Sequence, residues 1–310
     1  MQPPKSPLKR NKKAPKRGFA IIYPNRHPIS TRTKYGKLTA FLCHNLKHIL
    51  FLSDSKKILI GIVYKFHYCQ NYQNINLWMP QMKSAIILFP GTNREKDMEM
   101  ALTHVTGHAP TIVWHKESTL PDCDLMVLPG GFSYGDYLRC GAMAAHSPIM
   151  QEVITRAKRG VRLLAVCNGF QMLVETGLVR GALLHNKGLK FMCKQVHLRI
   201  ENNTTDFTNA FTKHEVIQVP IAHGEGNYFV NADDVKYLED NNQIAFRYCD
   251  AAGQLTDAAN VNGSTANIAG VFNDTKTIMG MMPHPENAVV PHANGHQGTA
   301  LFKSLLGALG

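Results

Sequence analysis

The chain has 310 residues, 44% of them hydrophobic, and carries 34 Lys and Arg against 22 Asp and Glu, a formal net charge of +12. That composition allows a sizeable core, and no apolar run reaches the roughly 20 residues of a membrane span, which argues against a membrane role. The positive excess suggests nucleic-acid binding only until it is divided: residues 1–81 hold 15 of the basic residues and one acid, Asp54, so residues 82–310 are slightly acidic and specific nucleic-acid binding is not expected.

Residues 1–17 are rich in Lys, Arg and Pro and read as disordered. Two apolar runs follow, Ile49–Leu52 and Ile58–Val63, with no sustained period. They come too late for a signal peptide. An organelle presequence, a basic arm that binds phosphate non-specifically, and upstream sequence joined to a protein that starts at Met82 all fit. The abrupt change of composition at Met82 favours the last, so we expect an extension over 1–81 and one domain over 82–310. The seven cysteines are scattered, with no CxxC pair for zinc or thioredoxin-type chemistry, and an odd count without a framework indicates a reducing, cytoplasmic setting.

From residue 84 the chain alternates. Ser84–Phe89 is a continuous apolar strand of the buried parallel type. Glu95 to about Val105 suits a helix, Thr111–His115 and Asp124–Leu128 are strands, and Pro148–Lys158 is a helix. Strands alternating with helices predict an α/β fold with a mainly parallel sheet flanked by helices. Chemistry in such sheets collects at the carboxyl ends of the strands. The third strand ends in Pro129-Gly130-Gly131-Phe132-Ser133-Tyr134-Gly135-Asp136. Asp136-Tyr137 stands where a phosphate-binding loop needs Lys-Ser/Thr, so this chain is not expected to bind ATP there. The loop suits an oxyanion hole, or simply a tight turn.

Val161–Val166 is another strand and stops at Cys167-Asn168-Gly169, after which Phe170–Glu175 continues as a helix. A strand turning sharply into a helix exposes one side chain above the sheet. Ala165 and Gly169 supply the small neighbours this needs. A thiol at a helix N-terminus is favoured as thiolate, and Gln171, one turn on, can face the same side. A buried structural cysteine is the other reading.

Beyond Gly181, Leu189–Ile200 alternates in part, and Val216–Ala222, Ile244–Tyr248 and Ile268–Phe272 are strands. His223 and Glu225 fall in a glycine-hinged loop. Two ligands without a third do not make a metal site, and none is expected. The last strand, Ile278–Met282, runs into Pro283-His284-Pro285-Glu286, where two prolines fix His284 and Glu286. His is the usual base for a Cys nucleophile and a carboxylate usually orients it. Gly298–Leu309 closes the chain as a helix.

The elbow Ala165-Val166-Cys167-Asn168-Gly169-Phe170-Gln171 and the Pro-His-Pro-Glu ending resemble the class I glutamine amidotransferases, whose elbow reads G-x-C-x-G-x-Q, on a flavodoxin-like architecture. Leu88–Met98, Pro129–Arg139, Cys167–Gln171 and Ala222–Gly226 are similar to one branch of that family, the glutaminase subunits of an amidine-forming synthase in purine biosynthesis. The resemblance covers about 82–310, with Ala165 in place of the usual Gly. It implies that Cys167 attacks the side-chain amide of L-glutamine, that His284, oriented by Glu286, moves the protons, and that N–H groups at Gly131 and Asn168 hold the oxyanion, with Gln171 at the substrate. It also implies a large synthetase subunit that uses the ammonia, with ATP and magnesium, to convert formylglycinamide ribonucleotide to formylglycinamidine ribonucleotide. A small bridging subunit is implied as well, and no cofactor on this chain. A DJ-1/PfpI-type cysteine hydrolase or chaperone is the competing enzyme reading, although such proteins place His after the Cys where Asn168 stands here. A non-catalytic amidotransferase-like binding module is the third.

Overall fold

Short apolar runs become the strands of one mixed sheet. The structure, a computed structural model, describes residues 81–136, 139–289 and 295–310. The expected extension, with its basic tract and apolar runs before Gln81, lies outside the described residues, as do Tyr137 and Leu138. In chain order the described strands are β1 (Ser84–Leu88), β2 (Thr111–Trp114), β3 (Leu125–Leu128), β4 (Arg162–Val166), β5 (Ala182–Leu184), β6 (Met192–Ile200), β7 (Val216–His223), β8 (Asn227–Phe229), β9 (Ile244–Cys249), β10 (Ile268–Phe272) and β11 (Ile278–Met281). The helices are α1 (Glu95–Thr106), α2 (Ala142–Ala145), α3 (Pro148–Lys158), α4 (Asn168–Glu175), α5 (Ala232–Asp240) and α6 (Thr299–Leu309).

Nine of these strands form one sheet in the order β2-β1-β3-β4-β11-β10-β9-β6-β7, and β5 pairs with β8 apart from it. From β2 to β11 every pairing is parallel. From β11 to β7 every pairing is antiparallel. The parallel half is the α/β sheet that the alternating elements predicted, and the antiparallel half extends it. Burial follows position. All four residues of β3 are buried, as a central strand requires, whereas the edge strand β2 buries only Val113. On the opposite edge, β7 alternates buried and partly exposed positions and accommodates Pro220, which a central strand could not.

Helix boundaries also have local causes. Pro148 opens α3, where its missing N–H has no intrahelical partner to lose. Gly107 closes α1 in the left-handed conformation at φ 76°. Asn231 caps α5 by accepting the Asp234 N–H at 2.8 Å. The outcome for the site is that β3, β4 and β11 are adjacent and parallel, so the glycine loop, the elbow and the Pro-His-Pro-Glu segment leave the sheet side by side at its carboxyl end.

Candidate active site

Cys167 is the hinge between β4 and α4. It sits at φ 52° and ψ −109°, a sparsely populated conformation that costs on the order of 1–3 kcal/mol and persists only where the surroundings enforce it. They do so here. The Cys167 N–H donates to Met281 O of β11 at 2.8 Å, and its carbonyl accepts the Gln171 N–H at 3.1 Å. A Cβ on Gly169 would lie 2.0 Å from Leu128 O, so α4 starts against β3 at a separation that only glycine allows. Ala165 needs no such licence. It lies within β4, fully buried between Leu128 and Gly280, and positive φ falls on Cys167 instead.

His284 follows β11, and its N–H donates to Pro220 O of β7 at 2.9 Å. Its Nδ1 meets Glu286 Oε1 at 2.7 Å, with His284 2% and Glu286 4% exposed. Burial disfavours the charged ring, but the Glu286 carboxylate and then the neighbouring Cys167 sulfur outweigh it, and His284 is raised to about 10. Its Nε2 has no hydrogen-bond partner in the protein. A Cβ on Gly130 would come within 2.8 Å of His284 Cε1, so the glycine loop closes directly over the imidazole.

Two backbone donors remain unengaged beside the sulfur. Asn168 is the first residue of α4, and its N–H lacks an intrahelical acceptor. Gly131 forms an isolated antiparallel bridge with Thr92, closed by Phe132 N–H to Gly91 O at 2.9 Å and Asn93 N–H to Gly130 O at 3.4 Å, which leaves the Gly131 N–H outside it. Gly131, Cys167 and Gln171 line one cavity of about 240 Å³ together with Phe132, Ala222 and His223.

The sequence-predicted residues are thus brought together, with Asn168 and Gln171 also serving as braces. Asn168 Oδ1 accepts the Ser133 N–H at 3.0 Å, and its amide donates to Gln171 Oε1 at 2.8 Å. Gln171 Nε2 in turn donates to Glu225 O at 2.8 Å. The glycine loop, α4 and the His223–Asn227 loop are therefore tied in series. Glu225 faces His185 rather than His223, at 3.2 Å.

Sequence reasoning missed Cys140 and Asn186. Cys140 shares the cavity, but burial, a hydrogen bond to Glu225 and the Asp136 charge push its thiol far up, so it stays protonated and is no rival nucleophile. Asn186 lies in no motif, yet its side chain holds the His223 loop from a distant part of the chain. Among the described residues no helix is long and apolar enough to cross a membrane.

Comparison with known proteins places the chain in a family. A family described as a CobB/CobQ-like glutamine amidotransferase domain matches residues 81–300. The chain is 52% identical over 229 residues to phosphoribosylformylglycinamidine synthase subunit PurQ of Rhodospirillum rubrum, covering 74% of this chain and 100% of the relative. It is 49% identical over 225 residues to the protein of the same name from Rhizobium etli, covering 73% and 98%. Among solved structures it resembles a chain of PurLQS from Thermotoga maritima, with a TM-score of 0.66 and 43% identity over 74% of this chain and 100% of that one.

Proposed function

The chain belongs to the CobB/CobQ-like glutamine amidotransferase family, and we propose that it is the glutaminase subunit of a phosphoribosylformylglycinamidine synthase, with Cys167, His284 and Glu286 as its catalytic residues. The observation that carries this assignment is the strained Cys167 elbow set beside a buried His284–Glu286 pair. His284 already holds the proton of the Cys167–His284 pair, and the sulfur attacks the carboxamide carbon of L-glutamine. The negative charge on the carbonyl oxygen develops towards the Gly131 and Asn168 N–H groups. Collapse breaks the C–N bond, and His284 returns the proton to the departing nitrogen, which leaves as ammonia. Water then attacks the γ-glutamyl thioester, His284 accepts its proton, and glutamate leaves as the thiol re-forms.

Ammonia passes to a large synthetase subunit, which uses ATP and magnesium to form formylglycinamidine ribonucleotide. A small third subunit bridges the assembly, and this chain needs no cofactor of its own. Trapping a γ-glutamyl thioester on Cys167 by mass spectrometry after mixing with glutamine tests the assignment. A trapped adduct on any other residue, or none, overturns it.

Coupling to the partner follows from the tied loops. Because Asn168 and Gln171 link Ser133 to Glu225, a surface that docks on either loop re-aims both walls of the cavity. Glutaminase turnover of the isolated chain should therefore be at least about ten-fold below that of the assembled synthase, a gain of roughly 1.4 kcal/mol in transition-state stabilisation. Equal rates in the two states count against it.

We assign the activity to residues 82–310. Met82 is 3% exposed and belongs to the core, whereas Gln81 before it is exposed. A chain shortened to begin at Met82 is expected to keep its glutamine-dependent rate within about two-fold, a change below roughly 0.5 kcal/mol. Loss of activity on shortening, with an intact Met1 found on the native protein, gives the extension a role.

A further inference from the structure

His223 takes no part in the reaction as derived above, yet it is 3% exposed and lines the same cavity as Cys167. Its protonation pattern can be read from its neighbour. Asn186 Nδ2 donates to two carbonyls, Lys190 O at 2.8 Å and His223 O at 2.9 Å, which identifies the other end of that amide as the oxygen. Asn186 Oδ1 accepts the Gly226 N–H at 3.0 Å and lies 3.1 Å from His223 Nδ1. An oxygen can only accept, so Nδ1 carries the ring proton and Nε2 presents a bare lone pair. That Nε2 is buried and has no partner in the protein. Burial, reinforced by the charge of nearby His284, lowers His223 to about 4, so the ring stays neutral at working pH.

A buried acceptor without a donor loses about 1–3 kcal/mol unless something supplies one. The substrate has what is missing. A carboxamide entering this cavity brings two N–H donors, while most groups around the sulfur are donors themselves: the Gly131 and Asn168 N–H groups and the protonated His284. The Ala222 carbonyl already faces the sulfur at 3.7 Å.

We propose that His223, through Nε2, accepts a hydrogen bond from the carboxamide N–H of the bound substrate and thereby selects an amide nitrogen over an oxygen at the leaving position. The proposal rests on the acyl-transfer reading of Cys167. It also accounts for product release: the γ-carboxylate of glutamate has lone pairs and no hydrogen where the amide had N–H, so it meets Nε2 without a bond.

The test compares two substrates that give the same thioester, L-glutamine and the γ-methyl ester of L-glutamate, which has no N–H at the leaving group. Both are assayed as glutamate release by the full chain assembled with its synthetase. In His223→Asn the new amide nitrogen can still donate to Asn186, but nothing accepts at the Nε2 position. In His223→Gln the amide oxygen reaches that position. His223→Asn should lower kcat/KM for glutamine about ten-fold and for the ester less than about two-fold, the signature of one lost neutral hydrogen bond. His223→Gln should recover most of the amide-to-ester ratio. If His223→Asn lowers both substrates equally, His223 only supports the loop and the proposal fails. It fails equally if the ratio does not move. The Cys167→Ala variant separates the two levels: it must lose both substrates, and retention of either overturns the acyl-transfer reading and this proposal with it.

Discussion

Replacing Cys167 by Ala should lower the glutamine-dependent rate of the assembled synthase by on the order of 10⁴-fold or more, as losing a nucleophile does, while its rate with ammonium salt persists. Only the sulfur can form the thioester, and water at this position does not replace it. The variant should fold. The elbow is enforced by the Met281 carbonyl, by pairing on both sides of β4 and by the Gly169 approach to Leu128, none of which involves the thiol. Cys140 cannot stand in, because its thiol is held protonated between Glu225 and Asp136. The split between the two nitrogen sources is what identifies the role. An unchanged glutamine-dependent rate would mean that Cys167 is not the nucleophile. Loss of the ammonium-dependent rate in a folded, assembled variant would make Cys167 an assembly residue instead.

What the sequence revealed, and what it concealed, divides by the range of the interactions. The parallel strands were legible because burial on both faces leaves continuous apolar runs, as in Leu125–Leu128. The elbow was legible because its constraint is local: a strand, a cysteine, a glycine and a helix within a few residues. His284 and Glu286 were legible because two prolines mark the segment. The order of the antiparallel half was not, since β6 pairs with both β7 and β9 across intervening loops. The short β5–β8 pair carries too few residues to show a period. The Asn186–His223 contact spans 37 positions and joins two loops, so no local pattern announces it. Glycine at 131 suggested an oxyanion hole, but that its N–H is unengaged emerges only from the bridge with Thr92. Ala165 stands where the family usually has glycine, and the backbone shows why it fits: the demand for positive φ falls two residues later, on Cys167.

Replacing His284 by Ala should cost the glutamine-dependent rate on the order of 10²–10⁴-fold, the usual range for a general acid–base group, again with the ammonium-dependent rate preserved. The loss should be less complete than for Cys167→Ala, because a sulfur nucleophile retains some reactivity without its base. Glu286→Gln separates charge from geometry. The Gln oxygen can still accept from Nδ1, so the ring keeps its tautomer, but the charge that opposes burial is gone. In the native chain His284 is raised to about 10 and holds its proton until pH rises through that value. With the Glu286 charge removed, burial becomes the larger influence and the proton is lost at lower pH. The alkaline limb of kcat/KM for glutamine should therefore move to lower pH in Glu286→Gln by more than one unit. Folding obeys the same linkage. Because the folded value lies above the ordinary 6.5, this residue stabilises the native state fully below about pH 6.5, and that contribution fades as pH climbs to about 10. Glu286→Gln should flatten the decline, which urea unfolding at pH 6 and pH 9 would reveal. An alkaline limb that stays where it is in Glu286→Gln would show that the carboxylate does not govern the proton on His284.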